Sequence, residues 1–499
     1  MFVCDLAQGS FALDVLPADE APNGADFHRW FERVVDEPCA VLLDSAAAGS
    51  RFSQRSIIAI EPEAVLVARS SPLAAAGVAD LELHVWAEER GVPAPEVRKY
   101  ASAPFAELER LLAERRIPAE LRAQLPDGFI GGAVGFVGYD AGRFIERLPE
   151  RAARDLPVPE LCFLFVDSLL VYEHELGVAR WIASARGRDR SEAAARCAAR
   201  MQNLRARFER APEARAVREP IAPARPNMEQ RAYEDMVRAA KQQILAGNVF
   251  EVCTSQRLET AFPRSRAAAW DLYSALRTQS PAAFACCLLT PWACLLSSSP
   301  ERFLSLNREG WAESRPIKGT RPRHSDLTQD ARLGDELASS EKDRAENIMI
   351  VDLVRNDLGR VCAVDSIHVP ELMIIEQHPS VFHMVSTVRG RIEQGISPVQ
   401  LFTACFPPGS MTGAPKIEAM KVIDALEPVR RALYAGAVGY FDIGGELDFS
   451  VVIRSFVISE GRCTLNVGGA VVADSEPEAE YRESMDKARA LLSALEEQR

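Results

Sequence analysis

Strand-like and helix-like runs follow one another along these 499 residues without strict alternation. A parallel, doubly wound sheet needs that alternation, because each parallel connection requires a crossover that is usually a helix. Runs rich in β-forming residues lie at 40–46, 56–62, 64–68 and 162–174, then at 249–260, 283–289, 292–298 and 301–306, and again at 381–391, 434–442, 448–458 and 462–472. Helical patterns fit 191–215, 228–247, 340–358, 397–405, 415–426 and 477–497. This order points to an α+β fold with largely antiparallel sheets. Apolar residues at 47% leave ample material for a large core.

Local signals sharpen the outline. The 228–247 helix carries Tyr233, Met236, Val237, Ala240, Ile244 and Leu245 on one side, and Gly247 stops it. EPIAPARPN (219–227) holds three prolines and reads as a linker. GGAVGFVGYD (131–140) and AGAVGYFDIG (435–444) echo each other, and glycines within strands let another backbone or a ligand come close. The net charge of -13 disfavours nucleic acid as a partner. The 11 cysteines show no regular spacing and no CxxC pair, so reduced thiols and a cytoplasmic location are expected. The N-terminus lacks the basic and apolar regions of a signal peptide. The longest apolar run, Phe284 to Leu296, is too short to span a membrane.

Several clusters carry chemistry. SRPIKGTRPR (314–323) places Lys318 between Ile317 and Gly319, either as part of a basic surface turn or as a reactive amine. In SSEKDRAENIMIVDLVRNDLGR (339–360), Asp343 and Glu346 share a helix face. Ser340 with Asp343 reads as a capping box, but a cap does not account for Glu346. In DSEPEAEYRESMDKARALL (474–492), Glu480 and Glu483 stand three apart beside an apolar seam. Two such pairs could build an oxygen-rich pocket of the kind Mg²⁺ prefers. FPPGSMTGAPK (406–416) is a glycine-flanked loop entering a helix. Arg454 lies in the apolar run SVVIRSF, where it needs a structural ion partner or a carboxylate ligand, and the amides of Gly468 and Gly469 could complete a carboxylate seat. His383, among alternating apolar residues, is either a satisfied core histidine or a proton donor.

Taken in order, PIKGTRPR, DRAENIMIVDLVRNDLGRV, GSMTGAPK, GAVGYFD, VVIRSF and GGAVVADSEPEAEYRE resemble the chorismate-utilising enzymes from about 230 to 495. The resemblance implies a sandwich of two antiparallel sheets flanked by helices, and a division into an N-terminal region (1–190), a helix and linker (191–228) and a chorismate-binding catalytic domain (229–499). It implies chorismate as substrate and Mg²⁺ as cofactor, held by Glu346 and Glu483 with Asp343 and Glu480 behind them. Arg454, Gly468 and Gly469 become the carboxylate seat, His383 a catalytic residue, and Thr320, Ser410, Thr412 and Tyr440 substrate contacts. The PIKGT stretch is similar to the aminodeoxychorismate synthase branch, in which the lysine attacks the ring and then yields to ammonia. Anthranilate synthases, the nearest alternative, usually carry alanine there. A catalytic lysine has to shed its proton, and a dry pocket made positive by Arg315 and Arg321 is expected around Lys318. Isochorismate and salicylate synthases resemble each other in carrying a lysine where this chain has Glu251, so ammonia rather than water is the expected nucleophile. Cys253, Cys362 and Cys405 do not sit on nucleophile turns, and a separate glutamine amidotransferase subunit is implied. The stretch LLDS (42–45) differs from the family's LLES, which leaves tryptophan binding open.

Overall fold

The computed structural model describes residues 1–498 apart from 21–23, 25, 48–49, 72–75, 87–94, 211–219 and 379–380. Its strands form one 13-stranded and one 12-stranded sheet built of antiparallel pairs, as expected. The period of two along each strand sorts the apolar residues into three layers. Val65 and Val67, Val134 and Phe136, Val41, and Ile57 and Ala59 meet between the sheets. The opposite faces, Ala40, Leu42, Ile58 and Ile60 on one sheet, pack against the helices Arg190–Glu209, Arg266–Gln279 and Pro477–Glu496. On the other sheet, Leu66, Ala133 and Val137 pack against Pro104–Arg115, Glu341–Gly359 and Pro398–Cys405. Strands buried on both faces read as continuous apolar runs, which is why these segments were easy to find but their faces were not.

Both sheets draw strands from either side of residue 190. Ala40–Asp44 pairs with Phe284–Leu289 in one sheet, and Gly132–Val137 pairs with Ala437–Asp442 in the other. That second pair is the glycine echo, with Gly135 directly opposite Gly439. A Cβ would lie 1.9 Å from the Cys162 carbonyl oxygen at the first and 2.0 Å from that of Asp448 at the second, so both positions require glycine.

The echo marks a duplication. Gly132–Val137, Leu161–Val166, Ser168–Glu173, Val178–Gly187 and the helix Arg190–Glu209 recur as Ala437–Asp442, Leu447–Val451, Ser455–Ser459, Arg462–Val471 and the helix Pro477–Glu496. In each set the first two strands lie in the 12-stranded sheet and the last two in the 13-stranded sheet.

This corrects two expectations. The runs 162–174 and 448–458 are not single strands: each breaks and crosses between sheets, the first at Asp167 and the second at 452–454. The helix expected at 191–215 runs over Arg190–Glu209, and 211–215 lie outside the described residues. Past residue 219, also outside them, the proline-rich segment contributes a two-residue strand, Arg225–Pro226. On the Gln230–Leu245 helix, Tyr233, Met236, Val237 and Ala240 are buried, whereas Leu245 at its end is exposed. All 11 cysteines are free thiols. Among the described residues no helix is long and apolar enough to cross a membrane.

Candidate active site

Lys318 lies on the strand Ile317–Pro322, which pairs with Val381–Arg391. Ile317 faces Val385 and Thr320 faces His383, so the Lys318 strand carries one extra residue between these pairs. Such a bulge re-aims the side chain beside it. Gly319 makes it possible, with φ +86 and a Cβ position 2.9 Å from an Asp343 carboxylate oxygen. Lys318 therefore points inward and is only 7% exposed, which rules out a surface turn. Its Nζ lies 2.5 Å from Glu251 Oε1, and Glu251 is fully buried at the start of the strand Glu251–Ala261.

The expected positive surroundings are absent. Arg315 pairs with Glu371 and Glu376, and Arg321 with Glu336 and Asp343. Burial alone would lower the Lys318 pKa, but Glu251, Cys253 and Glu346 outweigh it and hold the ammonium above the usual lysine range. The pocket is dry, as expected, but acidic.

The acids converge from two helices. Ser340 caps Glu341–Gly359 by accepting from the Asp343 amide, yet the Asp343 carboxylate turns to Arg321 instead of closing the capping box. One turn on, Glu346 is buried and its carboxyl is pushed up to about 7, burial outweighing Lys318. On Pro477–Glu496, Glu480 is 3% exposed with Oε2 lacking a hydrogen-bond partner, and burial raises its pKa. Glu483 is half exposed, and against partial desolvation Lys487, 2.7 Å away, holds its carboxyl below the usual range. Gly469 admits this helix, since a Cβ there would come within 3.1 Å of Glu480 Oε2. Among the described residues no three His, Cys, Asp or Glu side chains stand together as a ready metal-ligand set. The orphaned oxygen of Glu480 and the raised Glu346 fit a site completed by a cation.

Opposite them, Arg454 sits at the crossover between sheets with φ +52, a strained position for a non-glycine residue. Its Nη1 donates to the Lys487 carbonyl at 3.2 Å, and among the described residues no carboxylate pairs with it. Gly468 and Gly469 pair with Ser255 and Thr254, while the strand on their other side, Ser455–Ser459, pairs only as far as Leu465. Among the described residues, one edge of the glycines is thus left without a strand partner, and the Gly468 carbonyl accepts from Lys487 Nζ at 2.9 Å. His383 is buried with Nδ1 unpartnered. Burial, with His378 and Arg454, drives its pKa down to about 3, so it is neutral.

Two positions depart from the expected contacts. The Thr412 hydroxyl donates to the Gly409 carbonyl of its own loop, and Tyr440 packs at a tilt against Phe129 in a cavity of about 110 Å³ that also includes Asp44 and Phe52. Tyr440 shares the inter-sheet face with Val438, two residues away on the strand. Ser410 does reach the site, through a residue the sequence analysis passed over. Glu301, 5% exposed, lies near Ser410, and burial pushes its carboxyl up to about 7 against the pull of Ser410 and Lys318. It occupies another crossover, between Cys294–Ser299 and Arg302–Leu306, and its carbonyl accepts from the Val451 amide just before the Arg454 crossover. Pro300 before a lone carboxylate between two apolar runs was the available signal. A folded-state pKa raised from 4.5 means that this group's stabilising contribution is present below about 4.5 and lost as pH rises to about 7. Chemical denaturation from pH 4.5 to 7.5 should show wild type losing up to about 3 kcal/mol relative to Glu301→Gln. Parallel pH dependences would mean that Glu301 is not held protonated.

Residues 70–493 match the family described as chorismate binding enzyme. The chain belongs to that family. Aminodeoxychorismate synthase component 1 of Klebsiella aerogenes is 36% identical over 475 residues, covering 95% of this chain and 97% of that protein. Aminodeoxychorismate synthase of Streptomyces pristinaespiralis is 43% identical over 398 residues, which cover 78% of this chain but 54% of that protein, so the chain spans about half its length. The crystal structure of anthranilate synthase component I from Streptococcus pneumoniae TIGR4 superposes with a TM-score of 0.73 at 26% identity, covering 88% of this chain and 92% of that one.

Proposed function

We propose that the chain aminates chorismate to 4-amino-4-deoxychorismate, the step that leads to para-aminobenzoate and folate, using ammonia supplied by a separate glutamine amidotransferase subunit. The observation that carries this reading is the buried Lys318–Glu251 pair at the bulge. Arg454 and the free edge of Gly468–Gly469 bind one substrate carboxylate. Mg²⁺, held by Glu346 and Glu483 with Asp343 and Glu480 alongside, would neutralise the other. Glu251 takes the Lys318 proton. The amine then forms a C–N bond to the ring as the 4-hydroxyl departs, carrying a proton from Glu301. Ammonia displaces the lysine at the carbon that lost the hydroxyl, and Lys318 leaves as the amine. The neutral His383 and the Ser410 hydroxyl orient the ring substituents, and Thr320, opposite His383 on the neighbouring strand, adds a substrate contact.

The likeness to the Streptococcus pneumoniae anthranilate synthase component I favours one alternative, anthranilate formation with release of pyruvate. Incubating the purified chain with chorismate, Mg²⁺ and ammonium, then identifying products by mass, separates the two. An aminated product that keeps its pyruvyl ether is expected, whereas anthranilate with pyruvate overturns the reading.

The partner follows from the "component 1" designation of the Klebsiella aerogenes relative. Cys253 and Cys362 are pushed up to about 11 and Cys405 well above its ordinary value by burial, so none offers a thiolate for glutamine hydrolysis. Ammonium at high pH should support amination by the isolated chain, and glutamine alone should not. Glutamate release by the chain alone at the amination rate would refute the need for a partner.

A further inference from the structure

We propose that Lys342 is a built-in counter-cation of the acidic cluster, which a divalent cation has to displace, and that this side chain therefore sets the metal affinity of the site. The inference rests on the metal reading above. Lys342 lies in the first turn of Glu341–Gly359 and reaches toward the Pro477–Glu496 helix, its Nζ 3.6 Å from Glu480 Oε1 and 3.9 Å from Glu346 Oε1. Its ammonium thus stands between acids of the two helices.

Two observations make it displaceable. Both distances exceed an N–H···O hydrogen bond, so the ammonium makes a loose ion pair with each acid. Its side chain is half exposed, so it can swing into water without a desolvation cost. Lys487, by contrast, is anchored at 2.7 Å to Glu483 and at 2.9 Å to the Gly468 carbonyl.

The acids remain undersaturated all the same. Glu480 is 97% buried on its side chain, and Oε2 has no partner although Lys342 attends Oε1. One ammonium brings one charge and three donors to carboxylates on two helices. A divalent ion brings two charges and accepts several oxygens at once, with water completing its shell. Lys342 thus screens Glu346 from Glu480 while no metal is bound, and opposes the metal when it arrives.

Divalent binding to the full chain without substrate tests this by isothermal titration with Mg²⁺ and with Mn²⁺, joined by thermal melting in EDTA and in excess Mg²⁺. Lys342→Met should bind about tenfold tighter than wild type, as expected for removing one like charge near 4 Å in a partly screened site. It should also melt lower in EDTA and gain more on adding Mg²⁺, because the acids then lack their internal cation. Lys342→Gln gives the same comparison if the methionine variant does not fold. Equal or weaker metal binding by these variants overturns the role of Lys342 while leaving the metal site standing. A wild-type chain that binds neither ion at millimolar concentration removes the metal reading and this inference together.

Discussion

Replacing Lys318 by alanine is expected to slow amination by about 10²–10⁴-fold, the range for loss of a positioned group that acts in the transition state. It should also abolish any covalent adduct with chorismate on the peptide containing residue 318, while chorismate and Mg²⁺ binding persist. The substrate seat and the acids lie on other elements, so they survive the change. The variant has a second effect. Glu251 is fully buried and its Oε2 already lacks a partner, so removing Lys318 strands a buried carboxylate at a stability cost of about 3–5 kcal/mol. Combining Lys318→Ala with Glu251→Gln should restore much of that stability and none of the activity. Intact-protein mass after exposure to chorismate, with denaturant melts of the single and double variants, reads both effects. Undiminished amination by Lys318→Ala would sink the nucleophile assignment. Glu251→Gln alone removes the charge that most raises the Lys318 pKa, so burial should free the amine at lower pH and the pH profile of amination should move to the acid side.

Glu346→Gln and Glu483→Gln should each cost at least ~10²-fold in Mg²⁺-dependent rate, since a metal that neutralises substrate charge is worth several kcal/mol. Glutamine preserves shape and removes the charge. The two variants should differ in stability. Glu346 is buried, so losing its charge relieves desolvation, whereas losing that of Glu483 strips Lys487 of its closest partner. Rates across a Mg²⁺ titration, with EDTA as the zero point, check the claim. Wild-type rates from both variants in EDTA would refute a metal role.

Much of the fold could be read because the strands are apolar on both faces and the helices carry clear stops. What could not be read was sheet membership. Hydrophobic periodicity is the same on both sides of Asp167 and of Arg454, yet the chain changes sheets at each. In the site, motif order singled out Lys318, Glu346, Glu480, Arg454 and Gly469, which lie on or beside helices and strands that are long and well marked. The surroundings of Lys318 were misjudged because Arg315 and Arg321 are near in sequence, while the partner that matters, Glu251, is 67 positions away. Glu301 escaped notice for a related reason: it belongs to a connection, and its chemistry comes from burial that only the two packed sheets create. Tyr440 and Thr412 were placed by motif position alone, and strand alternation and a local loop bond turn them elsewhere.

The paired glycine strands bear on how such a chain is made. Gly132–Val137 cannot complete its edge until Ala437–Asp442 arrives, roughly 300 residues later on the ribosome. The other sheet waits for the Phe284–Leu289 strand to meet Ala40–Asp44. Through most of synthesis the N-terminal half therefore carries two open apolar sheet edges, a template for the wrong partner as well as the right one. Late closure of both sheets, with slow folding, is therefore the expected consequence of fusing two similar halves into shared sheets. The same architecture suggests that separately expressed halves would find each other through those edges.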